Sequence, residues 1–207
     1  MNFEDVRNIY SKQIFFTTNQ MFAWYPGFDK NNLNRWVIKG YIIKLRNGLY
    51  SFEGYREIPN FNLFIANQIY RPSYISLHTA LSFYGLIPEA VVQTISISTL
   101  KTSRFENKVS CFIYKNVKES IFFGYDQLPF SDGRSILMAT PEKALLDLLY
   151  LYPFYKTEID FLDLRFDVDT LPELINKEQL YGFLSKYKNK SLEKRVKTLL
   201  KAYAISN

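Results

Sequence analysis

Residues 41–52 read Tyr41-Ile42-Ile43-Lys44-Leu45-Arg46-Asn47-Gly48-Leu49-Tyr50-Ser51-Phe52. β-Formers stand on both sides of Asn47-Gly48, the pattern of two strands joined by a tight turn. Asn and Gly accept the positive φ of both central positions of a type I′ turn, which pairs Leu45 with Tyr50 and Ile43 with Phe52. These four are expected to face a core. Lys44, Arg46 and Ser51 are then expected to project outward beside the turn.

Immediately before the hairpin, a helix is predicted over Lys30–Lys39, capped by Asp29 and stopped by Gly40 at the left-handed position that favours glycine. At 100° per residue, Leu33, Trp36, Val37 and Gly40 fall on one side and would pack inward. Asn31, Asn34, Arg35 and Ile38 lie within about 100° of one another on the other side. Those four suit a major groove: Asn bonds adenine bidentately, Arg bonds guanine, and Ile meets a thymine methyl. Lys30, Asn32 and Lys39 flank them, where phosphate contact is expected. Upstream, Phe3, Val6, Tyr10 and Ile14 predict a first helix over about 3–13, and Thr18 an N-cap for a short second helix through Met21, Phe22 and Tyr25. Two short helices joined at Pro26-Gly27-Phe28 make a helix-turn-helix pattern. A basic hairpin directly after the recognition helix makes it winged, with Lys44, Arg46 and Ser51 on the DNA backbone.

Charge divides the chain further. Residues 1–55 carry 7 basic and 4 acidic side chains, residues 56–176 carry 11 and 14, and residues 177–207 carry 8 and 2. A basic head, an acidic middle and a basic tail suggest separate functional regions. The turn-rich stretch Glu53-Gly54-Tyr55-Arg56-Glu57-Ile58-Pro59-Asn60 supplies the boundary, giving a winged helix-turn-helix domain at 1–56 and a second domain at 57–207. Three runs of β-formers (91–98, 109–114 and 135–138) lie among helical segments, so the second domain reads as mixed α+β. Alternating Ser and Thr in these runs predict a sheet with one wetter face. The fold class is α+β throughout.

Longer blocks carry a resemblance. Gly40-Tyr41-Ile42-Ile43-Lys44-Leu45-Arg46-Asn47-Gly48-Leu49-Tyr50 resembles the wing of the AbiEi-type antitoxins of bacterial type IV toxin–antitoxin (abortive infection) systems. Residues 71–81 (Arg71-Pro72-Ser73-Tyr74-Ile75-Ser76-Leu77-His78-Thr79-Ala80-Leu81) and Tyr84-Gly85-Leu86-Ile87 are similar to that family's helix after the winged domain. Ala139-Thr140-Pro141-Glu142-Lys143-Ala144-Leu145-Leu146-Asp147-Leu148-Leu149 is similar to a later one. The blocks keep family order over roughly residues 18 to 153. The resemblance implies a repressor that binds double-stranded DNA at inverted repeats upstream of its own operon. It also implies an antitoxin that counters a nucleotidyltransferase toxin through the C-terminal domain, without requiring direct contact.

The remaining residues point to binding and not to catalysis. Thr140-Pro141 reads as an N-cap with proline at the first helical position, and Lys143 and Asp147 as an i,i+4 pair on the outer side of that helix. His78, the one histidine, lies beside an apolar helical face with no Cys or Ser partner. Asp167-Val168-Asp169 has the look of paired metal-holding carboxylates, but Leu171-Pro172 follows and no glycine-rich phosphate loop is present, so a capping role is expected. In the tail, Leu192, Val196, Leu199, Leu200 and Tyr203 form one stripe. Lys190, Lys194, Lys197 and Lys201 stand opposite, either solvated or a second basic face for phosphates or an acidic partner.

Composition narrows the classes. With 47% hydrophobic and 22% charged residues in 207, the chain can build a sizeable core. One cysteine, Cys111, excludes a disulfide framework within the chain and any cysteine-rich zinc site. The N-terminus carries acids where a signal peptide needs positive charge, and the charge-free stretch 72–88 is interrupted by polar residues and bounded by prolines. A cytoplasmic protein without a membrane segment, metal, cofactor or enzymatic activity is expected. The rival reading is a one-component regulator whose second domain senses a small ligand.

Overall fold

The computed structural model describes residues 2–89 and 91–204. The first part runs α1 (Phe3–Tyr10), β1 (Phe16–Thr17), α2 (Thr18–Trp24), α3 (Asn31–Ile38), β2 (Ile42–Arg46) and β3 (Leu49–Phe52). Its three strands form an antiparallel sheet in the order β1-β3-β2. Asn2 and Asp5 close a capping box on α1. On α2 the box is Thr17–Gln20, so the N-cap lies one residue before the expected Thr18, which enters the helix as its first residue. Gly40 stops α3 at φ +71°, as its position predicts.

The hairpin departs from the expected register. Lys44 stands opposite Tyr50 and Ile42 opposite Phe52, and a bulge between Lys44 and Arg46 absorbs one residue. Of the two turn residues only Gly48 has a positive φ, +77°, whereas type I′ needs two. The bulge turns the side chains onto two faces. Ile42, Tyr50 and Phe52 join Phe16, Met21, Leu33 and Trp36 in the N-terminal core. Ile43, Leu45 and Leu49 join the core of the rest of the chain. Ser51, expected outside, is fully buried and donates to the Ile14 carbonyl oxygen. Its face is covered, so it cannot touch DNA.

The remainder contains α4 (Phe61–Ile69), β4 (Ser73–Ile75), α5 (Leu77–Phe83), β5 (Gln93–Ser98), β6 (Ser103–Glu106), β7 (Cys111–Asn116), β8 (Tyr125–Pro129) and β9 (Ser135–Ala139). Then follow α6 (Pro141–Leu151), α7 (Glu158–Leu162), α8 (Thr170–Leu174), α9 (Lys177–Tyr187) and α10 (Lys190–Ala202). The six strands pair in the order β6-β7-β5-β4-β9-β8, with β5/β7 and β4/β9 parallel and the other pairs antiparallel. The whole is a mixed α+β structure with two sheets.

The larger sheet is covered on both faces, which overturns the expectation of a wet side. Thr94, Ser96 and Ser98 are buried, because α4 lies over them. Asn62 donates to Thr94 Oγ1 at 3.3 Å, and Tyr114 on the neighbouring strand donates to the Ala66 carbonyl at 2.6 Å. Most of α4 is buried, since its other side meets the hairpin; such a helix is apolar all round. Asn67 is its buried polar residue, and its amide bridges Ser73 and Leu137 backbone atoms across β4 and β9. Helices α5 and α6 cover the opposite face, where Tyr74 donates to Asp147.

Candidate nucleic-acid interface

Helix α3 is amphipathic in the way its sequence dictates: Leu33 and Trp36 are buried, whereas Asn31, Asn34, Arg35 and Ile38 are exposed. Ile38 is 85% exposed, its apolar side chain open on this face. The N-cap position of α3 falls on Lys30 and not on the expected Asp29, whose carboxylate accepts from the Asn31 backbone N–H at 2.9 Å and from the Arg35 guanidinium at 3.2 Å. Arg35 also donates to Asn32 Oδ1 at 2.6 Å, so Asn32 braces the arginine and is half-buried. An exposed pair of this kind is worth roughly 0–1 kcal/mol, so Arg35 can exchange Asp29 for a stronger partner at little cost.

Around α3 the cations divide. Lys30 is exposed with its ammonium 5.1 Å from the Phe22 ring centre, and Lys39 is exposed 5.8 Å from that of Tyr41. Lys44 is exposed on β2. A groove of about 410 Å3 runs between α2, α3 and the hairpin turn, and brings Lys30 and Asn34 together with Thr18, Asn19 and Gly48. Arg46 is exposed, as expected, but its guanidinium is already engaged, donating to the Ile69 carbonyl and lying over the Phe105 ring. The bulge beside it aims this side chain at the larger sheet. Trp24, to which the sequence reading gave no role, is 67% exposed.

In the tail, α10 buries Leu192, Val196, Leu199 and Leu200 and exposes Lys190, Lys194, Lys197 and Lys201, as the stripe predicts. The lysines share their shallow groove with Glu193, and Lys201 pairs with Glu158 at 2.7 Å, which raises its pKa. Arg195 turns inward, donating to the Leu149 carbonyl at the end of α6.

Lys143 and Asp147 depart from their expected surface placement. They are not on the outer side of α6; both side chains have no exposed surface. Asp147 accepts from Lys143 Nζ, from Tyr187 at 2.9 Å, from Tyr74 at 3.0 Å and from Ser76 at 2.8 Å. Lys143 also donates to the Tyr187 hydroxyl at 2.7 Å and is ringed by Tyr74, Phe123 and Tyr187. This network joins β4, α6 and α9, and no substrate can reach it. Asp167 accepts from the Thr170 N–H at 2.8 Å, a capping contact, and Asp169 precedes α8 without a side-chain cap bond.

Burial sets an alkaline limit. It raises the phenol pKa of Tyr74, Tyr114 and Tyr187, with the Asp147 charge adding to the rise at Tyr74 and Tyr187, and pushes Tyr84 to about 12. The native state therefore holds protons that the unfolded chain releases above about pH 10. The stability from these groups is complete below that value and is lost as pH rises through the folded-state values. Desolvation lowers the Lys143 pKa and acts with the opposite slope, one group against four. A melting temperature that falls steeply above about pH 10 is expected in a calorimetric pH series; a flat profile to pH 12 would show that the phenols are not buried.

Among the described residues, no group of three or more His, Cys, Asp or Glu side chains converges as a metal site. None of their helices is long and apolar enough to cross a membrane. No model of a known protein family matches the chain, and neither does any curated protein.

Proposed function

We propose that residues 1–56 form a winged helix-turn-helix and that the protein is a sequence-specific DNA-binding repressor. The observation that carries this is the exposed face of α3, where Asn31, Asn34, Arg35 and Ile38 stand between Lys30, Lys39 and Lys44. The order α1-β1-α2-α3-β2-β3, with its β1-β3-β2 sheet, suits a helix presented to a major groove beside a basic hairpin. The base-reading set is Asn31, Asn34, Arg35 and Ile38. The backbone set is Lys30, Lys39 and Lys44, with Asn32 as a brace on Arg35. The AbiEi-type resemblance extends the proposal: the repressor acts on its own operon, and residues 57–207 counter a nucleotidyltransferase toxin.

Fluorescence anisotropy tests the first part, with DNA from upstream of the gene against a scrambled duplex at two salt concentrations. A cognate preference of about 10³-fold or more is expected, and weak, salt-sensitive binding to both duplexes would refute it. Lys44→Ala should weaken cognate and scrambled DNA alike and flatten the log Kd against log salt slope by about one unit. An unchanged slope would remove Lys44 from the phosphate contacts. Rescue of growth during expression of the neighbouring toxin tests the second part.

A further inference from the structure

Away from α3, a cleft of about 460 Å3 opens where α5, α6 and the start of β5 meet the chain on either side of α7. The size suits a small ligand, since such pockets run to roughly 300–1,000 Å3. Leu81, Ile87, Ile95 and Leu148 line it and are all buried, which makes an apolar floor. Three polar side chains border that floor: His78, Gln93 and Tyr155. Thr79 bonds the Gln93 backbone, but among the described residues none of the three side chains has a hydrogen-bond partner. His78 is half-buried, with the Tyr152 ring 6.0 Å away as its aromatic neighbour. The half-buried His78 and Tyr155, beside an apolar floor and without protein partners, are placed to bond a ligand.

The charged side chains that line the cleft are acidic. Glu89 and Asp163 line it, and no lysine or arginine does. Arg165 pairs with Glu89 at 3.4 Å, and Asp163 has no ion-pair partner among the described residues. An anion entering here would meet two lining carboxylates, with the nearby Arg165 guanidinium already paired to Glu89.

We propose that this cleft binds a small organic amine, its apolar body on the Leu81–Leu148 floor and its ammonium directed at Glu89 and Asp163. Burial lowers the His78 pKa, against the weaker pull of Glu89, so the imidazole is neutral near pH 7 and offers a ring nitrogen as an acceptor. The ammonium donates to it, and Tyr155 and Gln93 complete the polar rim. The site is independent of DNA binding and stands whether or not α3 reads bases.

His78 is the one histidine of the chain, so its ring signals report occupancy without assignment. The full chain at low salt is titrated with 2-phenylethylamine and, separately, with 3-phenylpropanoate, a probe of similar size and opposite charge, by NMR of the imidazole. The amine should shift the His78 signals saturably and bind about tenfold or more tighter than the acid. Glu89→Gln with Asp163→Asn should erase that preference while leaving the protein folded, because both residues are exposed. Gln93→Trp, at an exposed position on the mouth, should block the shift with an unchanged melting temperature. No shift up to about 10 mM amine, well past the millimolar Kd of a fragment-sized ligand, would overturn the proposal. Equal binding of the two probes, or a shift that persists in Gln93→Trp, would overturn it too.

Discussion

Replacing Asp147 by alanine should destabilise the protein by about 3–5 kcal/mol, the cost of breaking a buried ion pair by removing one partner. In a chain of this size that lowers the melting temperature by roughly 6–20 °C. The reason is arithmetic at one carboxylate. It accepts from Lys143, Tyr187, Tyr74 and Ser76, so its loss leaves an uncompensated ammonium and deprives three hydroxyls of this acceptor, all buried. Lys143→Met should cost less, because the carboxylate keeps the three hydroxyl donors and only the charge loses its partner. Urea melts followed by circular dichroism give both values. A loss under about 1 kcal/mol for Asp147→Ala, the size of a surface pair, would mean that water enters the network.

Arg35→Ala should weaken binding to cognate DNA by about 1–3 kcal/mol, roughly 5- to 150-fold, and leave the scrambled duplex nearly unaffected. Arg35 is 62% exposed at its side chain, so truncation leaves the fold intact. In the free protein it donates to Asp29 and Asn32, which hold the guanidinium over the face of α3 before DNA arrives. Pre-placing a long side chain reduces the entropy lost on binding. Equal losses on cognate and scrambled DNA would make Arg35 a phosphate contact and remove it from base readout.

Local signals were readable in the sequence, and what covers them was not. Asn47-Gly48, Gly40 and Thr140-Pro141 act through their own backbone chemistry, and each stands at a turn, a helix stop or a helix start. The outward face of α3 follows from helical rotation alone. Alternation along β2 and β3 gives a period of two but not the cover on the second face, which buries Ser51 and engages the exposed Arg46 with Ile69 and Phe105. Thr94, Ser96 and Ser98 read as wet for the same reason. Lys143 and Asp147 have the spacing of a surface pair, and the residues that make them a core pair are Tyr74, Ser76 and Tyr187, 40 or more positions away along the chain. Strand β4, of three residues, carries too few for a periodic signal. The cleft beside His78 also escaped, since its walls come from separate elements.

The hairpin that lends side chains to two cores bears on how such a protein can be inherited. A graft that moved residues 1–56 onto another body would carry Ile43, Leu45 and Leu49 away from their partners and lose the Asn107 bond to the Leu45 carbonyl. Each bared side chain forfeits about 1.5–3 kcal/mol of burial, a large part of the stability available to a piece that small. The N-terminal portion is therefore a poor candidate for shuffling as an interchangeable cassette. Recombination that preserves function must transmit it together with the sheet it rests on, and substitutions in α4 have to suit the hairpin as well as the strands.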